Sequence, residues 1–305
     1  MYRTVIVPLD GSPFAAQAVA TAAEIAQRSG AVLVLTRVHE AYRYEETEYS
    51  ISEDLSRRDQ EQYLADVMEY VQARYRLQAE RRLLTGAIVP ALCTFAQELD
   101  DPLIVISTHG RTGFSRFWLG SVADAVARHA ATPVLMLRHH GTENSLAPPH
   151  AFRGIVVPLD GSDLSETALP HAVALAAAFR SRLVLVHVVG PTPVPVSAHT
   201  TPFATSGEFT PDSLSTRMEA AQRYVSNIAA RVSARNAGVE ATASVRVSDS
   251  PAPAVLETAE WESADTIALA THGRGASRLI APSVADKILR AGPEAVLIVR
   301  APDAP

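Results

Sequence analysis

The stretch Arg3-Thr-Val-Ile-Val-Pro-Leu-Asp-Gly-Ser12 returns as Arg153-Gly-Ile-Val-Val-Pro-Leu-Asp-Gly-Ser162, 150 residues further along the chain. In each copy a short β-branched apolar run stops at a proline and passes into Asp-Gly-Ser. A run of that length without polar alternation reads as a strand buried on both faces. Two further blocks repeat in the same order. Ser107-Thr-His-Gly-Arg111 returns as Ala270-Thr-His-Gly-Arg274, and Ser121-Val-Ala-Asp124 as Ser283-Val-Ala-Asp286. Three matched blocks, each a domain length apart, mean a duplicated domain. The boundary falls in the polar, proline-containing stretch from His139 to Pro149, which gives domains 1–140 and 151–305.

Outward from the first block the pattern alternates. Thr4–Leu9 is a strand. Ala15–Ser29 has apolar residues at helical spacing and ends at Gly30, a helix-stop signal. Ala31–Val38 is the second strand, Asp54–Gln78 a long amphipathic helix, Arg81–Leu84 a strand and Ile88–Glu98 a helix. Leu103–Ser107, Ser121–Ala130 and Pro133–Arg138 complete the half as strand, helix and strand. The second half repeats this, with strands at Gly154–Leu159, Arg182–Val189, Ala241–Val247, Thr266–Ala270 and Ala295–Arg300. Strands alternating with helices imply right-handed crossovers and a parallel sheet covered on both faces. The expected fold class is α/β, as two doubly wound domains with five-stranded parallel sheets. Two polar stretches, Glu40–Ser56 and Gly190–Ser215, read as surface loops after the second strand of each half.

The whole chain has 305 residues, 33 acidic against 27 basic, and a net charge of -6. That balance argues against coating nucleic acid. No run of about 20 apolar residues occurs, and the start lacks a signal-peptide pattern, so a cytoplasmic protein without membrane spans is expected. Cys93 is the sole cysteine, excluding an internal disulfide or thiolate metal cluster. It lies on the apolar face of a predicted helix, as a small core residue. Lys287 is the sole lysine and follows Asp286, so no Walker P-loop exists.

Ligands of open α/β sheets sit beyond the carboxyl ends of the strands, where strand order reverses. Asp10 ends the first strand, and Ser107-Thr-His-Gly110 ends the fourth. If those strands are neighbours, one crevice sees both. Gly110, Gly113 and Gly120 permit positive φ and close main-chain approach, so their N–H groups can form an anion nest. Ser121 opens the next helix, where unpaired N–H groups favour phosphate. Asp10 suits a sugar hydroxyl, or a divalent cation bound with the phosphates. Each residue has a structural alternative. Ser121 and Asp124 fit a capping box. Asp10 and Asp160 could hold turns, Pro8 and Pro158 shape strand ends, His109 and His272 suit structural hydrogen bonds, and Arg111 and Arg274 could be solvated. His139, His140 and His150 have no partner at a metal-ligand spacing.

On these residues the sequence resembles the universal stress protein family in its tandem two-domain form. The resemblance covers essentially the whole chain. It rests on Val-Pro-Leu-Asp-Gly-Ser in each half and on Ser107-x2-Gly110-x9-Gly120-Ser121, against the family's Gly-x2-Gly-x9-Gly-Ser/Thr. It implies Rossmann-like domains of the adenine nucleotide alpha hydrolase-like type, and ATP in the first of them, with Mg or Mn where a metal accompanies it through Asp10. Implied contacts at the adenosine end are Pro8, Leu9, Asp10 and the main chain near Arg37, where arginine is a departure. Ser107, His109, Gly110, Arg111 and Gly113 follow along the loop. Gly120, Ser121 and Val122 surround the phosphates.

The second half departs further. The weaker site implied there is Asp160, Val188, Gly273, Arg274 and Ser283. Ala270 replaces the first glycine, the loop is one residue shorter, and Pro282 stands where Gly120 stood. Proline has no N–H and cannot take positive φ. The loss of one donor to phosphate is worth about 1.5–3 kcal/mol.

The leading expectation is an ATP-binding stress and signalling module. The alternatives are a slow ATPase using the same site, with no dedicated base in sight, and a partner-binding protein without nucleotide. By resemblance, the halves should associate through their last strands as an internal pseudo-dimer, and two chains could pair again as a homodimer.

Overall fold

The structure is a computed structural model, which describes residues 2–40, 49–108, 120–138, 149–191, 214–271, 284–293 and 295–300, with backbone alone for 49–55. The first half runs β1 (Thr4–Pro8), α1 (Pro13–Ser29), β2 (Val32–His39), α2 (Tyr49–Tyr75), β3 (Ala79–Thr85), α3 (Ile88–Gln97), β4 (Pro102–Ser107), α4 (Ser121–His129) and β5 (Val134–Leu137). The second runs β6 (Gly154–Pro158), α5 (Asp163–Glu166), α6 (Leu169–Phe179), β7 (Arg182–Val189), α7 (Leu214–Arg235), β8 (Ala241–Val247), α8 (Pro251–Trp261), β9 (Thr266–Thr271), α9 (Val284–Ala291) and β10 (Ala295–Arg300).

The apolar runs become strands because both of their faces find cover. In β1, Val5 and Val7 pack into the cluster under α1 and α2, while Ile6 points into the cluster under α3 and α4. In β4, Leu103 and Val105 divide from Ile104 and Ile106 in the same way. Gly30 ends α1 as read, at φ 67, with its N–H on the Ala26 carbonyl.

Each half has strand order 3-2-1-4-5, so β1 lies between β2 and β4 and the order reverses there. The fourth strand is therefore the neighbour of the first, with Thr4 opposite Pro102 and Ile6 opposite Ile104. The two expected five-stranded sheets form one sheet of ten. β5 and β10 pair antiparallel, from Ala295 opposite Leu137 to Ile298 opposite Val134. Two arginines lock this seam. Arg138, just after β5, donates to the Gly292 carbonyl at 3.0 Å and also to that of Leu289, at the end of α9. Arg300, at the end of β10, donates to the carbonyls of Arg128 and His129 at the end of α4, each at 3.2 Å. Each cation meets the negative end of the other half's last helix.

Three local readings change. The stretch Glu40–Ser56 is helical from Tyr49 on, so the loop is shorter than expected. That helix stops at Tyr75 because Arg76 takes φ 53. The counterpart of α1 is broken into α5 and α6. Pro170 lacks the N–H that would bond the Glu166 carbonyl, and its ring clashes with that group, so the helix ends at Glu166 and restarts at Leu169.

Candidate functional site

The Asp10–Gly11–Ser12 turn leaves the carboxyl end of β1 and starts α1. Asp10 Oδ1 accepts the Ser12 N–H at 2.8 Å, and Ser12 Oγ accepts the Ala15 N–H at 3.2 Å, which caps the helix. Gly11 holds φ 81, a left-handed value that glycine tolerates. The Arg37 guanidinium, from the end of β2, lies against this glycine, because a Cβ added at Gly11 would come within 2.6 Å of Arg37 Nη1. The same guanidinium carbon is 5.5 Å from the centre of the Tyr63 ring on α2. Burial pushes the Tyr63 phenol up, while Arg37 pulls it down and Asp10 pushes it up, so turn, guanidinium and phenol share one locale.

Across the strand reversal, Ser107 ends β4. Thr108 donates its N–H to the Leu137 carbonyl at 2.9 Å, and its own carbonyl accepts the Gly120 N–H at 2.7 Å. Gly120 is the N-cap of α4 at φ -58 and ψ 141, with no side-chain bond capping the helix. Two sequence readings are corrected here. Gly120 does not use positive φ, and its N–H is held by Thr108 rather than turned to an anion. The Ser121–Asp124 capping box does not form, because Ser121 is already the first helical residue. Asp124 instead takes Arg128 Nε and Nη2, each at 3.0 Å, and Arg128 Nη2 also reaches Asp286 Oδ1 at 3.0 Å. Among the described residues, the start of α4 therefore keeps its positive end without a side-chain cap.

Among the described residues, three buried polar atoms near these strand ends and the first turns of α1 lack hydrogen-bond partners: Ser107 Oγ, Tyr63 OH and Gln17 Oε1. Ser107 is 8% exposed and Gln17 3%. Unpartnered buried groups are uncommon and call for a ligand, a water or strain to explain them. Their counterparts in the second half are absent or partnered. Ala270 has no hydroxyl, and Thr167 Oγ1 donates to the Leu164 carbonyl at 2.7 Å. Tyr224, which matches Tyr63 when buried Leu64 and Val71 are laid on Val225 and Val232, donates to Glu166 Oε1 at 2.9 Å.

The profile of the Universal stress protein family matches residues 1–138 and again residues 151–300. The chain belongs to the universal stress protein family. A universal stress protein of Mycobacterium tuberculosis is 30% identical over 325 aligned residues, which span 99% of this chain and 96% of the relative. One of Methanocaldococcus jannaschii is 26% identical over 142 residues, spanning 45% of this chain and 83% of its own. Among solved structures, a universal stress protein of Archaeoglobus fulgidus superposes with a TM-score of 0.70 at 18% identity, covering 98% of this chain and 99% of that one. At that identity the likeness shows the shared fold.

Among the other residues read from sequence, Leu9 is in the core, with its N–H on the Thr36 carbonyl at 2.7 Å. Pro8 ends β1, and Val122 packs with its side chain against the α3–α4 cluster. His109, Gly110, Arg111 and Gly113, and in the second half His272, Gly273, Arg274, Pro282 and Ser283, lie outside the described residues. So do His139 and His140. Cys93 packs against the same cluster, and burial pushes its thiol up.

In the second half, Asp160 Oδ1 accepts the Ser162 N–H at 3.0 Å and the Ser162 hydroxyl as well. The Asp160 N–H donates to Ser165 Oγ at 3.3 Å, so the turn is closed by its own residues. Val188 packs against the α8–α9 side. The residue in register with Arg37 is His187, since Pro8 faces Thr36 and Pro158 faces Val186. His187 lies edge-on to Tyr224, 6.0 Å between ring centres, and among the described residues nothing within 4 Å would meet a Cβ added at Gly161. Tyr63, His187 and Tyr224 escaped the sequence reading because they lie outside every repeated block.

His150 is structural. Its Nε2 meets Thr266 Oγ1 at 2.9 Å and Asp265 Oδ1 at 3.4 Å. Among the described residues no group of three or more His, Cys, Asp or Glu could hold a metal, and no helix is long and apolar enough to cross a membrane.

Proposed function

We propose that this universal stress protein binds ATP in the first crevice and uses occupancy as a stress-signalling state. The observation that carries the reading is the crevice between β1 and β4, at the strand reversal. Asp10 is anchored on one wall, and on the other the α4 start has no side-chain cap among the described residues. The buried, unpartnered Ser107 hydroxyl at the floor is a polar group that a bound ligand would satisfy. These residues fit a nucleotide. The first-turn amides of α4 would take phosphate oxygens, and Asp10 would accept from a ribose hydroxyl. Mg or Mn would enter with the phosphates, alongside Asp10.

The second crevice is the weaker one. Its aspartate takes the Ser162 hydroxyl besides the Ser162 N–H, its tyrosine is held by Glu166, and in the sequence Pro282 replaces the Gly120 of the first half. The β5–β10 pairing supports a chain that is its own pseudo-dimer.

Denaturing the purified protein and assaying the supernatant for adenine nucleotide tests this reading, together with a thermal shift on adding Mg-ATP. Released nucleotide or a saturable upward shift is expected. Neither at millimolar ATP would leave a family member that works without nucleotide.

A further inference from the structure

Arg37 is the feature of the first crevice that neither the duplication nor the motif accounts for. Its guanidinium covers Gly11, where all three atoms nearest to an added Cβ belong to Arg37, the closest at 2.6 Å. In the second half, no atom of the described residues lies within 4 Å of a Cβ added at the matching Gly161. The residue in register there is His187, whose imidazole is pulled down by burial, against smaller raising effects of Leu159 and Asp160. Among the described residues, the first crevice thus has a permanent planar cation beside its Asp-Gly-Ser turn, and the second has none there.

In doubly wound dinucleotide sites a carboxylate takes the bare ribose hydroxyl, whereas in sites for a 2′-phosphorylated ribose an arginine nearby accommodates that phosphate. Guanidinium suits phosphate because its fork of N–H donors matches two oxygens at once. Among the described residues, the contact of the Arg37 guanidinium is with the Tyr63 ring. We propose that Arg37 makes the first crevice prefer adenine nucleotides carrying a further phosphate on the ribose, at 2′ or 3′, over those phosphorylated at 5′ alone. This rests on the reading of that crevice as an adenine-nucleotide site and names the ligand class it selects.

Isothermal titration of the full chain should compare ATP, adenosine 5′-monophosphate, adenosine 2′,5′-bisphosphate and adenosine 3′,5′-bisphosphate, in wild type, Arg37→Gln and Arg37→Lys. In wild type at least one bisphosphate should bind roughly tenfold tighter than the monophosphate, the scale of one charged hydrogen bond. Arg37→Gln should bring that ratio to within about twofold, and Arg37→Lys should keep part of it. Circular dichroism and melting of both variants separate a lost preference from a lost fold, and Lys serves if Gln unfolds. A wild-type ratio near one, or a preference that survives Arg37→Gln, overturns the inference while ATP binding stands. If wild type binds none of the four, the reading of the crevice itself falls, and this inference with it.

Discussion

The Gly120 N–H donates to the Thr108 carbonyl at 2.7 Å, which ties together the two ends of the segment between β4 and α4. Gly120 holds φ -58, a value proline also accepts. Proline at this position therefore fails through its missing N–H, not through its φ.

Gly120→Ala keeps the N–H and the backbone angle, and should change stability by less than about 0.5 kcal/mol and leave an ATP-induced thermal shift in place. Gly120→Pro removes the closing bond, should cost about 1 kcal/mol, and should weaken the shift by loosening the start of α4. Melting curves with and without Mg-ATP distinguish the two. Equal behaviour of Ala and Pro would show that the Thr108 bond does not position the site.

The matched pair of tyrosines gives a prediction with opposite outcomes. Tyr224 donates to Glu166 and its phenol is raised to about 12, by burial first and then by its bond to and the charge of Glu166. Tyr224→Phe should cost about 1.5 kcal/mol in urea unfolding without ligand. Tyr63→Phe should be neutral or stabilising, because the hydroxyl it removes is buried without a partner. A comparable loss in both would mean that Tyr63 has a bond in solution.

At the seam, burial pulls the Arg138 guanidinium down from its ordinary value, and its fork closes the end of α9. Arg138→Met should destabilise by about 1.5–3 kcal/mol, since the α9 carbonyls lose a charged donor. Arg300→Met should cost less, roughly 1 kcal/mol, because its bonds to the α4 end are more exposed. Urea unfolding of the two variants gives the order, and the reverse order would contradict it.

The start of the second half depends on one carboxylate. Asp265 accepts the Arg153 N–H at 3.0 Å and meets His150, and its carboxyl lies well below the usual range. Burial alone would raise it, but the bonds from His150 and Arg153 and the His150 charge outweigh that. A depressed folded pKa contributes stability that is full above the unfolded value, about 3.9, and is lost as pH falls through it toward the folded one. Asp265→Asn should cost about 3 kcal/mol at neutral pH. It should also flatten the fall in stability below about pH 4. Unfolding series at several pH values check both.

The repeated Val-Pro-Leu-Asp-Gly-Ser blocks made the duplication, the strand ends and the Asp10 turn legible, because those depend on local sequence. The break at Pro170 was equally local, but repetition masked it. The Ser121–Asp124 reading failed because a capping box is a spacing rule, and the spacing does not say that Gly120 takes the cap. What stayed hidden is long-range. Arg138 meets residues over 150 positions away, and Arg37 reaches Gly11 only once β2 lies beside β1.

The central claim is that nucleotide binds between Asp10 and the start of α4, in the first half. Titration calorimetry of the full chain with Mg-ATP tests it most directly, in wild type, Asp10→Ala and Asp160→Ala. The account predicts about one high-affinity site per chain, weakened roughly tenfold or more by Asp10→Ala and unchanged by Asp160→Ala. Binding that is lost with Asp160 and indifferent to Asp10 would contradict it.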